Sequence, residues 1–155
     1  MDVVITGIIS NRIIMTGALA WVLSQVIKTI IHLILNKRLV LERLMGDGGM
    51  PSSHSATVTS VALSTGFVSG WDSPVFAVAL FFAIIVMHDA MGVRQETGKQ
   101  AKVINNMLLL FESMGRGELT PDEALKEFVG HTGRQVTVGA ILGILTAVVM
   151  HLILP

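Results

Sequence analysis

Four stretches of this chain approach the length of apolar helix that a lipid bilayer requires. A hydrocarbon core of about 30 Å is crossed by roughly 20 mostly apolar residues in a helix. Residues 13–35 are long enough, although Gln25, Lys28 and His32 interrupt them. Residues 74–91 contain the unbroken apolar run 75–87, and residues 136–154 are apolar with His151 near their end. Residues 53–70 form a weaker fourth stretch, dense in Ala, Ser, Thr and Gly. Such a segment fits a helix buried among others, because small side chains let backbones approach closely. Charged residues make up only 14% of the chain, against about 25% in soluble domains. The expected fold is therefore an all-α integral membrane protein, one domain over residues 1–155, with about four transmembrane helices. Residues 1–10 lack the basic start of a signal peptide and carry Asp2 instead.

Lys and Arg in the loops set the orientation. Lys37, Arg38 and Arg43 follow the first span. Arg94, Lys99, Lys102, Arg116, Lys126 and Arg134 lie between the third and fourth, so these two segments hold nine of the eleven basic residues. Both loops are expected in the cytoplasm and both termini outside, in a bacterial plasma membrane. Residues 95–134 are too polar to cross. Within them, residues 99–114 read as an amphipathic helix with Val103, Ile104, Met107, Leu108 and Phe111 on one face. It suits the membrane interface or packing on the cytoplasmic ends of the spans. A second short helix is expected from Thr120, with Pro121 at its first position, Glu123 closing a capping box and Gly130 as its stop.

Four motifs carry chemistry. The first is Gly46-Asp47-Gly48-Gly49-Met50-Pro51-Ser52-Ser53-His54-Ser55-Ala56. Its glycines let the backbone come close to a ligand. The helix start that follows offers free N–H groups and a positive dipole end, which suit an anion. His54 stands in the first turn, ready to exchange a proton. The same residues also fit a plain helix cap beside a surface histidine. The second motif is Gly130-His131-Thr132-Gly133-Arg134-Gln135-Val136, which places His131 at the same membrane face as His54. Two histidines at one interface suit a two-step transfer, one attacking phosphorus and one protonating the leaving oxygen. Gly139 and Gly143 beyond it form a small-xxx-small pair for helix packing. The third motif is Met87-His88-Asp89-Ala90-Met91-Gly92-Val93-Arg94. Here Arg94 offers a donor fork for phosphate, or serves only as a topology anchor, and Asp89 can orient a histidine. The fourth is the stripe Gln25, Lys28 and His32, spaced to share one helix face. A lysine inside a span marks a functional site by default, and snorkelling to the interface is the alternative. His151 reads as interfacial and uninvolved.

Other classes are excluded. Lys and Arg balance Asp and Glu at 11 each, so no basic surface advertises nucleic-acid binding. Cysteine is absent, which removes disulfides, thiolate metal sites and cysteine nucleophiles. No His or acidic pair has a trusted metal-ligand spacing, so neither metal nor cofactor is expected.

Taken together, residues 48–56, 89–94 and 130–132 resemble the divergent PAP2 family, small membrane proteins related to acid phosphatases and vanadium-dependent haloperoxidases. The resemblance runs roughly from Gln25 to Gly143 and implies a PAP2-like helical bundle. Pro51-Ser52-Ser53-His54 resembles the superfamily's Pro-Ser-Gly-His signature, with Ser53 in the glycine's place. By that resemblance His54 is the general acid, while Ser52, the Ser53 backbone and the Gly49 loop bind phosphate. The last superfamily signature ends in a nucleophilic histidine, matched by His131, and an aspartate four residues later, where Gln135 stands. Asp89 or Glu127 is then the source of negative charge. The signature's arginine falls on Leu125, so Arg94 is the substitute. Lys28 matches the lysine of the first signature, and Lys37 or Arg38 stands in for its arginine. The implied activity is hydrolysis of a lipid phosphate monoester or pyrophosphate, without metal, through a phosphohistidine. The alternative is a protein that binds or transports a lipid phosphate without hydrolysing it. Four spans make a thin bundle, and a homodimer through the small-residue faces of the second and fourth is an expected way to thicken it.

Overall fold

The structure is a computed structural model describing residues 2–37, 49–115, 124–125, 127 and 130–154. Its described elements are six helices: α1 (Asp2–Ile9), α2 (Arg12–Asn36), α3 (Ser53–Ser69), α4 (Pro74–Met91), α5 (Val93–Ser113) and α6 (Gly133–Ile153). The helix starts follow local chemistry. The Asn11 side chain accepts from the Ile13 and Ile14 N–H groups at 3.0 and 3.2 Å. Ser52 and Ser73 do the same for α3 and α4, and Pro74 sits in the first turn, where it gives up no helical hydrogen bond. Residues 1–10, read from sequence only as an unconvincing signal peptide, form α1 over Asp2–Ile9.

Among the described residues three helices are long and apolar enough to cross a membrane: α2, α4 together with α5 that follows it across Gly92, and α6. The fourth expected span, α3, has 17 residues, about 25 Å of helix. It is the central element, packed against α2, α4 and α6. Its small side chains explain that position. Gly139 and Gly143 of α6 lie so close to α3 that a Cβ on either would come within 2.4 Å of a carbonyl oxygen, that of Ser52 or Ala56. On the other side, a Cβ at Gly17 of α2 would meet the Val61 methyl at 2.7 Å. The hydroxyls of Thr57, Ser60 and Thr65 donate to carbonyls of α3 itself at 2.8 Å, so these polar side chains are satisfied within the helix. The outer surface is apolar instead, with Phe81, Phe82, Ile84 and Ile85 of α4 exposed. The small faces of α3 and α6, expected as dimer surfaces, are therefore used on each other within one chain.

These contacts also fix directions. Gly139 meets Ser52 and Gly143 meets Ala56, so α3 and α6 run parallel with their N-termini side by side. Thr16 of α2 receives a hydrogen bond from Ser64 of α3 at 3.4 Å, whereas the Lys28 stem lies against Gly49, before α3 begins. Hence α2 is antiparallel to α3.

Around α5 two features depart from expectation. The amphipathic helix expected over 99–114 is part of α5 and begins earlier, at Val93. The second short helix is not seen where it is described: Ala124, Leu125 and Glu127 are non-helical, and its expected cap, Thr120 to Glu123, lies outside the described residues. The Asn105 side chain explains the local conformation. It donates to the Leu125 carbonyl at 2.9 Å, accepts from the Leu125 N–H at 3.0 Å and donates to Glu127 Oε1 at 2.9 Å. Leu125 thus exchanges its backbone bonds with a side chain rather than with a helical turn.

Candidate functional site

The two histidines, 77 positions apart in sequence, face one another at the shared end of α3 and α6. Their ring centroids are 5.8 Å apart, with the planes tilted by 59°. His54 stands in the first turn of α3 and is partly buried. His131 is 3% exposed and is held from several directions. Its N–H donates to the Ala90 carbonyl at the end of α4, 2.9 Å away. Gly130, just before it, has φ +91°, and a Cβ there would fall 2.5 Å from the Gln95 nitrogen. Only glycine permits that turn and that approach.

Gln135 completes the arrangement. Thr132 caps α6 by accepting from the Gln135 N–H, and Gln135 Oε1 accepts in return from the Thr132 N–H at 2.9 Å. This capping box fixes the amide oxygen on the inner side. The same oxygen lies 3.4 Å from His131 Nδ1. An amide oxygen only accepts, so a hydrogen bond here is made by the tautomer that carries its hydrogen on Nδ1, which leaves the ring's lone pair on Nε2. The Gln135 carbonyl in turn accepts from the Ser52 N–H at 3.0 Å, tying the starts of α3 and α6 together. In the sequence Gln135 stands where the resemblance places an aspartate. Its second role was available in the pattern Thr-x-x-Gln.

Ser52 is fully buried, and its hydroxyl oxygen accepts from the Ser55 N–H and hydroxyl. What it retains for a ligand is its hydroxyl hydrogen. Ser53 is buried beside it. Lys28, 3% exposed, reaches this end with its stem packed on Gly49, where a Cβ would lie 3.1 Å from the Lys28 Cγ. Gly49 also has φ +86°. Gln25, one turn earlier on the same face, is buried as well.

Asp89 and Arg94 pair with each other, Oδ2 to Nε at 3.1 Å, with both side chains 44% exposed. The group at His131 Nδ1 is thus Gln135, while Asp89 is engaged by Arg94 at the neighbouring α4–α5 junction. His88 is exposed. Leu125 is exposed and Glu127 is bound to Asn105. His151 stacks on Phe67 at 4.3 Å near the opposite end of the bundle. Lys37 closes α2 in a left-handed conformation, and Arg38 lies outside the described residues. Among the described residues no three His, Asp or Glu side chains gather as a metal-ligand set.

Two parallel helices present their N-termini side by side, each equivalent to roughly half a positive charge, with a buried lysine and two imidazoles at the same end. Such a bundle defines a membrane protein with two histidines at one end, beside paired helix starts whose dipoles favour an anion. The chain belongs to the divergent PAP2 family, whose model matches residues 9–146. It is 36% identical over 151 residues to YuiD, an uncharacterized membrane protein of Bacillus subtilis strain 168, a match covering 92% of this chain and 96% of that one. No solved structure is significantly similar to the chain.

Proposed function

We propose that this protein hydrolyses a lipid phosphate monoester or pyrophosphate through a phosphohistidine, at the cytoplasmic face of a bacterial plasma membrane. The observation that carries the reading is the 5.8 Å approach of the His54 and His131 rings. A phosphoryl group between them meets a nucleophile on one side and an acid on the other.

The chemistry follows from the hydrogen bonds. His131, its Nδ1 hydrogen directed at Gln135 Oε1, attacks phosphorus with the Nε2 lone pair. The bond from phosphorus to the ester oxygen breaks, and His54 as imidazolium gives its proton to that oxygen. His54, now neutral, takes a proton from a water that attacks phosphorus. The phosphorus–nitrogen bond breaks, inorganic phosphate leaves and both rings return to their first state. Lys28, the N–H groups opening α3 and the Ser52 hydroxyl hydrogen stabilise charge on the equatorial oxygens. One such donor is worth about 3 kcal/mol in a dry site. A substrate with its tail in the bilayer brings its head to this depth. Lys37, Arg94 and Arg134 lie toward the site's end and Arg12 toward the other, which supports the cytoplasmic orientation.

The test is phosphate release from a panel of lipid phosphates by purified protein, with and without a chelator. His131→Ala should abolish release while the protein still folds, and wild type should trap an acid-labile phosphoenzyme. Release that survives His131→Ala overturns the assignment. The second reading is binding or transport of the same lipid without hydrolysis, and Gln135 favours it. An amide orients His131 without the negative charge that would stabilise the imidazolium forming as phosphorus is attacked. Binding of a lipid phosphate with no release selects that reading.

A further inference from the structure

Gln25 is 6% exposed, and its Oε1 meets no hydrogen-bond partner among the described residues. A buried acceptor left unsatisfied is disfavoured, and such groups in native structures generally await a water or a ligand. Its position narrows the choice. Because α2 is antiparallel to α3, with Gly17 beside Thr57 and Val61 and Lys28 beside Gly49, Gln25 lies level with the first residues of α3. It is one turn from Lys28 on the same face, about 4.5 Å further toward the middle of the helix. A phosphate held by Lys28 and the start of α3 would put the first carbons of its lipid beside Gln25.

We propose that Gln25 accepts a hydrogen bond from a hydroxyl carried near the phosphate, so the site is matched to lipid phosphates with a free hydroxyl on the backbone. This inference rests on the phosphate site of the preceding section and adds a substrate class to it. An acyl glycerol phosphate with an unesterified hydroxyl has the required donor. A prenyl phosphate or a simple alkyl phosphate does not. A site built around such a hydrogen bond rejects the analogue lacking the hydroxyl, because its own polar group is then left buried and unpaired.

The experiment compares two probes of equal chain length, lysophosphatidate and its analogue lacking only the glycerol hydroxyl, by equilibrium binding to the purified full chain in lipid nanodiscs. Wild type should bind the hydroxylated lipid at least about 10-fold more tightly, the effect of a single well-placed hydrogen bond. Gln25→Leu and Gln25→Met should lose that preference through weaker binding of lysophosphatidate, leaving the deoxy analogue bound as before or better. Two variants guard against one that fails to fold, and the wild-type comparison needs neither. Equal binding of the two probes by wild type, as when a water serves Gln25, overturns the proposal and leaves the phosphate site standing. So does a Gln25 variant that weakens both probes equally, which would mean that the amide is turned to donate to phosphate. If neither probe binds, the phosphate site and the proposal fall together.

Discussion

Replacing Gly139 with alanine is expected to damage the site more than it damages the fold. The added Cβ would stand 2.4 Å from the Ser52 carbonyl oxygen, 3.0 Å from Ser55 Cβ and 3.1 Å from the Ser52 nitrogen. Ordinary contact begins near 3.4 Å, so α6 must retreat from the start of α3 by about 1 Å. Backbone atoms on both sides leave no flexible side chain to yield. The movement acts on the Ser52-to-Gln135 hydrogen bond, and through Gln135 on the His131 ring. Overpacking of this kind destabilises by about 1–3 kcal/mol, while a 1 Å misplacement of catalytic groups lowers rate by about 100-fold. Gly143→Ala is the control. It meets the Ala56 carbonyl at the same 2.4 Å, one turn further from the histidines, so it should match the stability loss with a much smaller loss of function. Thermal unfolding in detergent reads the first quantity, and phosphate release or lipid-phosphate affinity reads the second. If both variants lose function only in proportion to stability, the idea that the α3–α6 contact sets the histidine geometry is wrong.

Further expectations follow from the same contacts. Gln135→Glu keeps the capping box and puts a carboxylate at His131 Nδ1, so phosphate release should rise by at least about 10-fold; unchanged release would separate Gln135 from the chemistry. Lys28→Met should weaken binding of a long-chain alkyl phosphate by about 10-fold or more, read by calorimetry. Asp89→Asn should shift stability by less than about 1 kcal/mol, because the Arg94 pair is half exposed; a large fall in melting temperature would count against that. Thr132→Ala removes the cap of α6 and should cost about 1 kcal/mol, with loss of function beyond this as Gln135 loses its anchor.

Most of the helical framework was legible in the sequence because lipid solvation and helix starts leave strong local marks. The expected stretches 13–35, 53–70, 74–91 and 136–154 correspond to α2, α3, α4 and α6 within a few residues. Polar caps at Asn11, Ser52, Ser73 and Thr132 fix those starts. The pairing of His54 with His131 was foreshadowed by their shared position at helix starts on one side of the membrane. Less visible were relations that depend on two distant segments at once. Asn105 bonding both backbone groups of Leu125, Arg94 engaging Asp89, and Gly130 resting on the backbone at Arg94 and Gln95 have no local periodicity to announce them. The short helix expected from Thr120 rests on a local capping pattern, and at Leu125 the contact with Asn105 takes the backbone hydrogen bonds that a helical turn would use.

The composition of α3 has a consequence for how the molecule reaches its membrane. This helix is too short and too rich in hydroxyls to be retained by oil on its own merits, yet it brings His54 to its place. Its stay in the bilayer depends on neighbours that arrive before and after it during synthesis. A nascent chain ending near residue 72 would therefore hold α3 only loosely, and commitment must wait until α4 and then α6 close around it. In this protein, the meeting of His54 with His131 and the completion of membrane insertion become the same event.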